Sequence, residues 1–502
     1  MAGFINSVRS DIAGSYNAGN LAQKRSSQAA TYGFVVLTVL AVVLLMWGMA
    51  FNESSITYLS VATVSFLLPL GVGLFRSTRF DPFEPINLVA LAIFFGTTLR
   101  AFWLYWSESD RVEFIMMETT FDDVLTNAPW ILTSIAALCV GYATATMRIH
   151  LEKFSFIRDY SLSLRRTWLS VIIGCGMALV GTLMLVNSFG IGFDSGFASE
   201  SYKRVHEYVD DSGQVIYGTG TERFIAGFGA YTFLFMGALM LLRMLRLTRF
   251  NLAVLAGVAL LAIVGPFLTS SRSSLILLML NLMIFLFYYG KLRSRTIVIA
   301  VLSGVFIVAT LGVLREENQT DMTRDLTAID RVVGSGNSLD FVRTSAIIDR
   351  VPEIRPYLNG QSYAALLSAP IPRSMWLDKP QVGLGSYVKG EIFGEDVRLS
   401  GWPSGMIAEG WMNFGFIGLI LPMLLFGAML RVFYESCRPL LGISFPVTLI
   451  YAVSIWRLGF GTIGMNFAHG ITQTLVYFVP VLILLVIARA PNRATVARPA
   501  MG

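Results

Sequence analysis

The sequence predicts an all-α, polytopic membrane protein, and three observations predict it. Apolar residues make up 55% of the 502 positions and charged residues only 14%, with a mean hydropathy of +0.64. A soluble chain carries about a quarter of its residues as Asp, Glu, Lys and Arg, so lipid must cover part of this one. Apolar runs long enough to span a bilayer, about 20 residues each, recur along the chain. The basic residues are distributed unevenly around those runs. The same composition excludes intrinsic disorder, which needs low hydrophobicity and high charge, and neither a glycine triplet nor long heptads mark a fibre.

Taken in order, twelve spans are predicted: 31–50, 55–75, 85–107, 129–147, 167–189, 224–242, 252–269, 274–290, 297–314, 405–430, 442–463 and 470–488. The lead before the first is polar and basic, and no cleavable signal peptide is expected there, because the first apolar run is long enough to cross. The organisation is an N-terminal bundle over 1–314 with a loop at 190–223, a soluble-like insert over 315–404, and a C-terminal bundle and tail over 405–502. With the N-terminus in the cytoplasm, 21 Lys and Arg fall in inside segments and 5 in the short outside loops. That asymmetry predicts both termini inside and the insert outside. The net charge of +6 is then mostly a topology signal, and nucleic acid is not an expected partner. Cys139, Cys175 and Cys437 lie in or just after apolar runs and read as free thiols rather than a disulfide framework.

The insert is exempt from the charge count because long loops translocate regardless of charge. Its stretch SLDFVRTSAIIDRV has a helical apolar period, which predicts an amphipathic helix lying on the bundle or at the membrane interface. Long ordered loops are usually functional, so an outward-facing site is expected. No internal repeat is visible, which counts against the inverted-repeat plan of secondary transporters.

Charges within apolar runs single out the candidate residues. Arg100, in FFGTTLRAFWLYW, and Arg457, in AVSIWRLGFGTIG, lie inside predicted spans, where an arginine costs at least about 2.5–3.5 kcal/mol unless it finds a partner, a wet cavity or a route to the headgroups. Gly459, Gly461 and Gly464 after Arg457 allow close backbone approach or a helix break. Arg272, in LTSSRSSL, sits among hydroxyls; the run reads either as a phosphate cradle, since guanidinium donates as a fork, or as a polar tip capping the next helix. Glu409, in SGWPSGMIAEGWMNFGFIGL, is a carboxylate at the mouth of the tenth span. It suits a general base when partly desolvated, or else an ion pair with one of these arginines. His469, in GMNFAHG, can serve as acid, base or phosphate ligand or be structural. Lys203 and Arg204 beside His206 read as a small anion patch or a solvated loop face. No outward HxxxH, CxxC or DxD is present, so no metal and no cofactor are expected, and P-loop and nucleophile-elbow patterns are absent.

The most distinctive pattern runs from the end of the insert into the tenth span. It comprises Gly360, Ser362 and Tyr363; then Ile371, Pro372, Arg373, Trp376, Lys379 and Pro380; then Pro403, Ser404, Glu409, Asn413, Phe414 and Gly415. This resembles the Wzy-type O-antigen polymerase, or oligosaccharide repeat-unit polymerase, family. DPFEPIN before span three, SYKR and SSRSSL look similar to runs in such proteins. The resemblance implies a GT-C-like integral membrane glycosyltransferase of the bacterial inner membrane. Its substrates would be polyprenyl-pyrophosphate-linked oligosaccharides at the outer face, and a polysaccharide chain-length regulator would be a possible partner beside membrane lipid. On that reading Arg272, Arg373 and Arg457, with Arg100, Lys203 and Arg204 in support, would stabilise the pyrophosphate leaving group. Glu409, ahead of His469, would act on the acceptor hydroxyl as base or orienting carboxylate, and Trp376, Trp402 and Trp411 would stack on sugar faces. The alternatives are an O-antigen ligase-like transferase, from whose long-loop histidine this histidine-free insert departs, and a lipid-linked glycan flippase.

Overall fold

The computed structural model describes residues 32–76, 80–106, 119–189, 208–209, 215–216, 220–268, 272–292, 295, 299, 339–371, 375–376, 379–380, 382–394 and 401–490. Among them are ten helices long and apolar enough to cross a membrane, and one shorter apolar helix. The chain is a polytopic, helical membrane protein. The predicted span at 297–314 lies outside the described residues, except for one helical position.

The spanning helices are α1 (Tyr32–Phe51), α2 (Ser54–Arg76), α3 (Pro85–Tyr105), α4 (Phe121–Thr144), α5 (Leu164–Phe189), α6 (Gly220–Leu241) and α7 (Arg249–Leu268). The shorter apolar helix is α8 (Arg272–Tyr288). The insert contributes α9 (Phe341–Arg350) and α10 (Gln361–Ser368). Then come α11 (Gly405–Cys437), α12 (Phe445–Gly464) and α13 (Phe467–Ala488). A two-residue antiparallel pairing, Tyr208 opposite Ile216, sits in the loop between α5 and α6.

Two hydrophobic clusters divide the interior. One gathers α2, α3, α4, α9 and α11; the other gathers α6, α8, α12 and α13 with parts of α5 and α7. The most extensively packed helix pair is α4 with α11. A Cβ on Gly427 would run into the Leu138 carbonyl, and one on Gly141 into the Leu424 carbonyl. Glycine at both places lets the backbones touch, the usual route to close packing where lipid supplies no hydrophobic drive.

Two departures from the sequence expectations shape the site. Helix α4 begins at Phe121 rather than near residue 129. Thr120 and Asp123 form a capping box, each side chain bonding the other's backbone N–H, and this satisfies donors that the polar first turns would otherwise leave open. The tenth span is not one helix. Phe414 and Gly415 have non-helical dihedrals, and Gly415 sits at φ +56. The short arm before the break doubles back on the long arm after it, so that the Gly410 and Gly418 backbones touch and neither position has room for a side chain.

The amphipathic helix of the insert, α9, packs into the bundle rather than lying at an interface. Every residue from Phe341 to Ile348 is buried, including Arg343. Asp340 caps it, accepting from Val342 N at 3.0 Å. Asn127 of α4 donates to Ser345 Oγ at 2.8 Å and to Asp349 Oδ1 at 2.7 Å.

Candidate functional site

The short arm of α11, wholly buried but for a half-buried Trp411, is the centre of the insert end. Its C-terminal carbonyls are taken up by the insert. Leu358 N donates to Met412 O at 2.8 Å, and Asn359 N to Asn413 O at 3.2 Å. Gly360 N donates to Asn413 Oδ1 at 2.9 Å. A helix end needs such partners, because its last carbonyls have none of their own.

Glu409 lies on this arm and is fully buried. Its Oε1 accepts from Ser362 Oγ at 2.8 Å, and its Oε2 accepts from the Phe467 backbone N–H at 2.6 Å. Asn466 Nδ2 reaches Oε1 at 3.5 Å. Asn413 Nδ2 in turn donates to Ser362 Oγ at 2.7 Å and to Glu409 O at 2.7 Å. One carboxylate therefore ties together the insert helix α10, the short arm of α11 and the start of α13. Glu409 makes no ion pair among the described residues; all its donors there are neutral. Tyr363, next to Ser362, is pushed up from its ordinary range by burial and then by the Glu409 charge.

His469 follows on the first turn of α13 and is half-buried against Gly383. Asn466, just before that helix, donates to Val382 O at 2.9 Å and accepts from Leu384 N at 3.4 Å. The segment over 382–384 is thereby held beside the imidazole.

Arg457 opens a π-helical turn, Arg457–Gly461, in α12. Its Nη2 donates to Tyr477 Oη at 2.9 Å, and the guanidinium lies 4.8 Å from the Tyr477 ring centroid. Gly459 fits against Leu88 and the Pro85 carbonyl, so of the glycines after Arg457 this one provides close approach to another helix, whereas Gly461 meets only Arg457 and Trp456 of its own helix. Tyr231 meets Tyr477 edge to face, with centroids 5.5 Å apart. His469 and Arg223 both lie within electrostatic reach of this group, His469 of Arg457 and Arg223 of Tyr477.

Arg100 is buried, so its route is not to the headgroups. Its Nη2 lies 3.7 Å from Asp340 Oδ2, and Arg343 Nη2 lies 3.7 Å from the same oxygen. Arg343 also donates to Pro403 O at 3.0 Å. Burial pulls the Arg343 guanidinium down to about 10, with Asp340 opposing and Arg100 assisting. Two guanidiniums and one carboxylate thus meet where the insert enters the bundle.

The tryptophans separate. Trp411 Nε1 donates to Val351 O at 2.8 Å, and Trp402 packs against Phe393 with centroids 5.4 Å apart; both are half-buried in the insert's own core. Trp376 is exposed. Arg272 lies at the start of α8, but its side chain is outside the described residues, as are Lys203, Arg204 and Arg373. Among the described residues no group of three His, Cys, Asp or Glu side chains converges.

Sequence reasoning missed Asp340, Arg343, Tyr477 and Asn466. Asp340 had a readable signal, an Asp immediately before an apolar periodic run, which is an N-cap. The other three depend on contacts across the fold. Compared with protein-family models, curated proteins and solved structures, the chain matches none of them.

Proposed function

We propose that the chain is an oligosaccharide repeat-unit polymerase, a GT-C-like glycosyltransferase of the bacterial cytoplasmic membrane. Both termini lie in the cytoplasm, and the insert lies on the outer face. The observation that supports this best is the convergence of the motif residues. Gly360, Ser362, Glu409 and Asn413 come from two runs of sequence and form one hydrogen-bonded unit. Asn466, His469 and the Phe467 N–H border it from a third.

In the proposed reaction an acceptor sugar hydroxyl attacks the anomeric carbon of the chain held on a polyprenyl pyrophosphate. The C–O bond to phosphate breaks, and the pyrophosphate leaves with the electron pair. The hydroxyl proton passes to a base. Arg457 supplies a fixed cation for the charge growing on the leaving group, as preorganised guanidinium groups do; Arg272, Arg373, Lys203 and Arg204 belong to the same proposal. His469, half-buried within reach of Arg457, is the better-disposed base. Glu409, saturated by neutral donors, acts as a positioning residue that holds α10, α11 and α13 in register.

Deleting the gene and resolving the surface glycan by gel electrophoresis tests the reading. The expected product is glycan of single repeats. Long surface chains in the mutant overturn the reading. Long chains retained on the lipid carrier point instead to a ligase, and single repeats confined to the inner face point to a flippase.

A further inference from the structure

The insert carries an apolar surface that its own core does not use. Leu367 of α10 is 83% exposed and Met375, beyond its end, is 78% exposed. Ile371 and Trp376 between and beside them are also exposed. Residues this apolar on a loop outside the spans need a partner, because soluble surfaces rarely expose contiguous apolar patches without a use.

The position of α10 says what that partner is. Tyr363 stacks on Phe414, with ring centroids 6.2 Å apart and planes 15° apart, and Gly360 leaves room for the same ring. Phe414 begins an exposed apolar row down the long arm of α11: Phe416, Ile417, Leu421 and Leu425. In a helix long and apolar enough to cross a membrane, that row faces lipid. Leu367 is four residues beyond Tyr363, hence one turn along on the same helical face. The exposed face of α10 therefore continues the lipid-facing row of α11 past the break at Phe414–Gly415. Helix α10 is also held firmly in that position. Ser362 and Asn413 bond on its inner side. Lys379 Nζ donates to Ala369 O at 3.1 Å and Ile371 O at 2.7 Å, closing carbonyls at the C-terminal end of α10. An indole at the edge, Trp376, suits the boundary between headgroups and acyl chains.

We propose that α10, with Ile371 and Met375 beyond its end, forms a lip that inserts into the bilayer leaflet on the insert side, with Leu367, Ile371 and Met375 among the acyl chains. The lip rests on the fold alone and stands whether or not the proposed reaction is correct. It places the Glu409 junction at the lipid boundary of the insert.

The test uses the full-length chain reconstituted in phosphatidylcholine vesicles containing lipids with a nitroxide on the acyl chain. Leu367→Cys and Met375→Cys are labelled with a fluorophore, with the unsubstituted protein measuring background from the native cysteines. Ile417→Cys reports a lipid-facing span position, and Glu353→Cys an exposed polar position of the same insert. Two lip variants guard against one failing to fold, and each is required to elute as the unsubstituted protein does. Quenching at both lip positions of more than half that at Ile417, with little at Glu353, is expected. Lip positions that quench like Glu353 overturn the proposal. A blue-shifted but unquenched fluorophore also overturns it, and identifies protein rather than lipid as the cover.

Discussion

The two arms of α11 bury carboxylates in opposite ways. At the insert end, Glu409 is bonded by a hydroxyl, an amide and a backbone N–H, with no cation among the described residues. At the far end of the long arm, Arg431 bonds Glu84 Oε1 at 3.1 Å and also pairs with Glu435. Tyr142 donates to the same Glu84 oxygen at 2.7 Å. Beside them Asp81 Oδ2 accepts from Tyr434 at 2.8 Å and Tyr288 at 2.9 Å. The second cluster answers its charge with guanidinium and tyrosine, and it joins four segments, the run over 81–84, α4, α8 and α11, into a closed knot. The first holds a charge-bearing group by neutral dipoles only. A buried ion pair is strongly destabilised by losing one partner, whereas a carboxylate held by neutral donors loses only hydrogen bonds. The knot therefore reads as structural, and the junction as the place where the protein keeps a buried carboxylate in fixed geometry.

That comparison can be broken most forcefully at Arg431. Arg431→Met leaves Glu84 buried without its cation and is expected to cost about 3–5 kcal/mol. The measurement is the midpoint of detergent-driven unfolding.

The pH dependence is the next largest effect. Burial raises the Glu84 carboxyl to about 7, against the lowering influence of Tyr142 and Arg431. Its ordinary value is 4.5, so the folded chain binds this proton more tightly than the unfolded one. The stabilisation is full below the ordinary value and is lost as pH rises through the folded one. Stability, read as the melting temperature, should therefore fall between pH 4.5 and 7, by about 3 kcal/mol in the limit. Glu84→Gln should flatten that slope; an unchanged slope removes Glu84 as its source.

At the junction, Glu409→Gln is expected to be milder, about 1–3 kcal/mol. An amide presents an N–H₂ group to either Ser362 or the Phe467 N–H, and one donor loses its acceptor. A cost matching that of Arg431→Met would erase the distinction between the two ends.

Much of the bundle is legible in sequence, because a span is a property of about 20 consecutive residues. Eleven of the predicted spans correspond to helices. The start of α4 escapes a hydropathy reading because its first turns carry Asp122, Asp123, Thr126 and Asn127, although the capping box there is itself a sequence signal. The break in α11 is hidden for a different reason. Phe414 and Gly415 continue the apolar run, and only the glycine pair at 410 and 418, which lets the arms touch, betrays the turn. Arg100 and Glu409 stand out as misplaced charges, yet their partners Asp340, Ser362 and Asn466 are remote along the chain, and single-sequence patterns carry no contact information. DPFEPIN was visible only as a resemblance. That its Asp81 and Glu84 meet three tyrosines and an arginine was not written in the run itself, although Tyr451 reaching Phe83 O at 2.7 Å completes a knot built around it.

Insert and bundle share one buried junction, and a double-mutant cycle between Ser362→Ala and Glu409→Gln measures that link. Unfolding free energies of the four proteins give the coupling. Two groups bonded at 2.8 Å should couple by about 1 kcal/mol, within the usual range for contacting residues. Simple additivity of the two substitutions would contradict the junction.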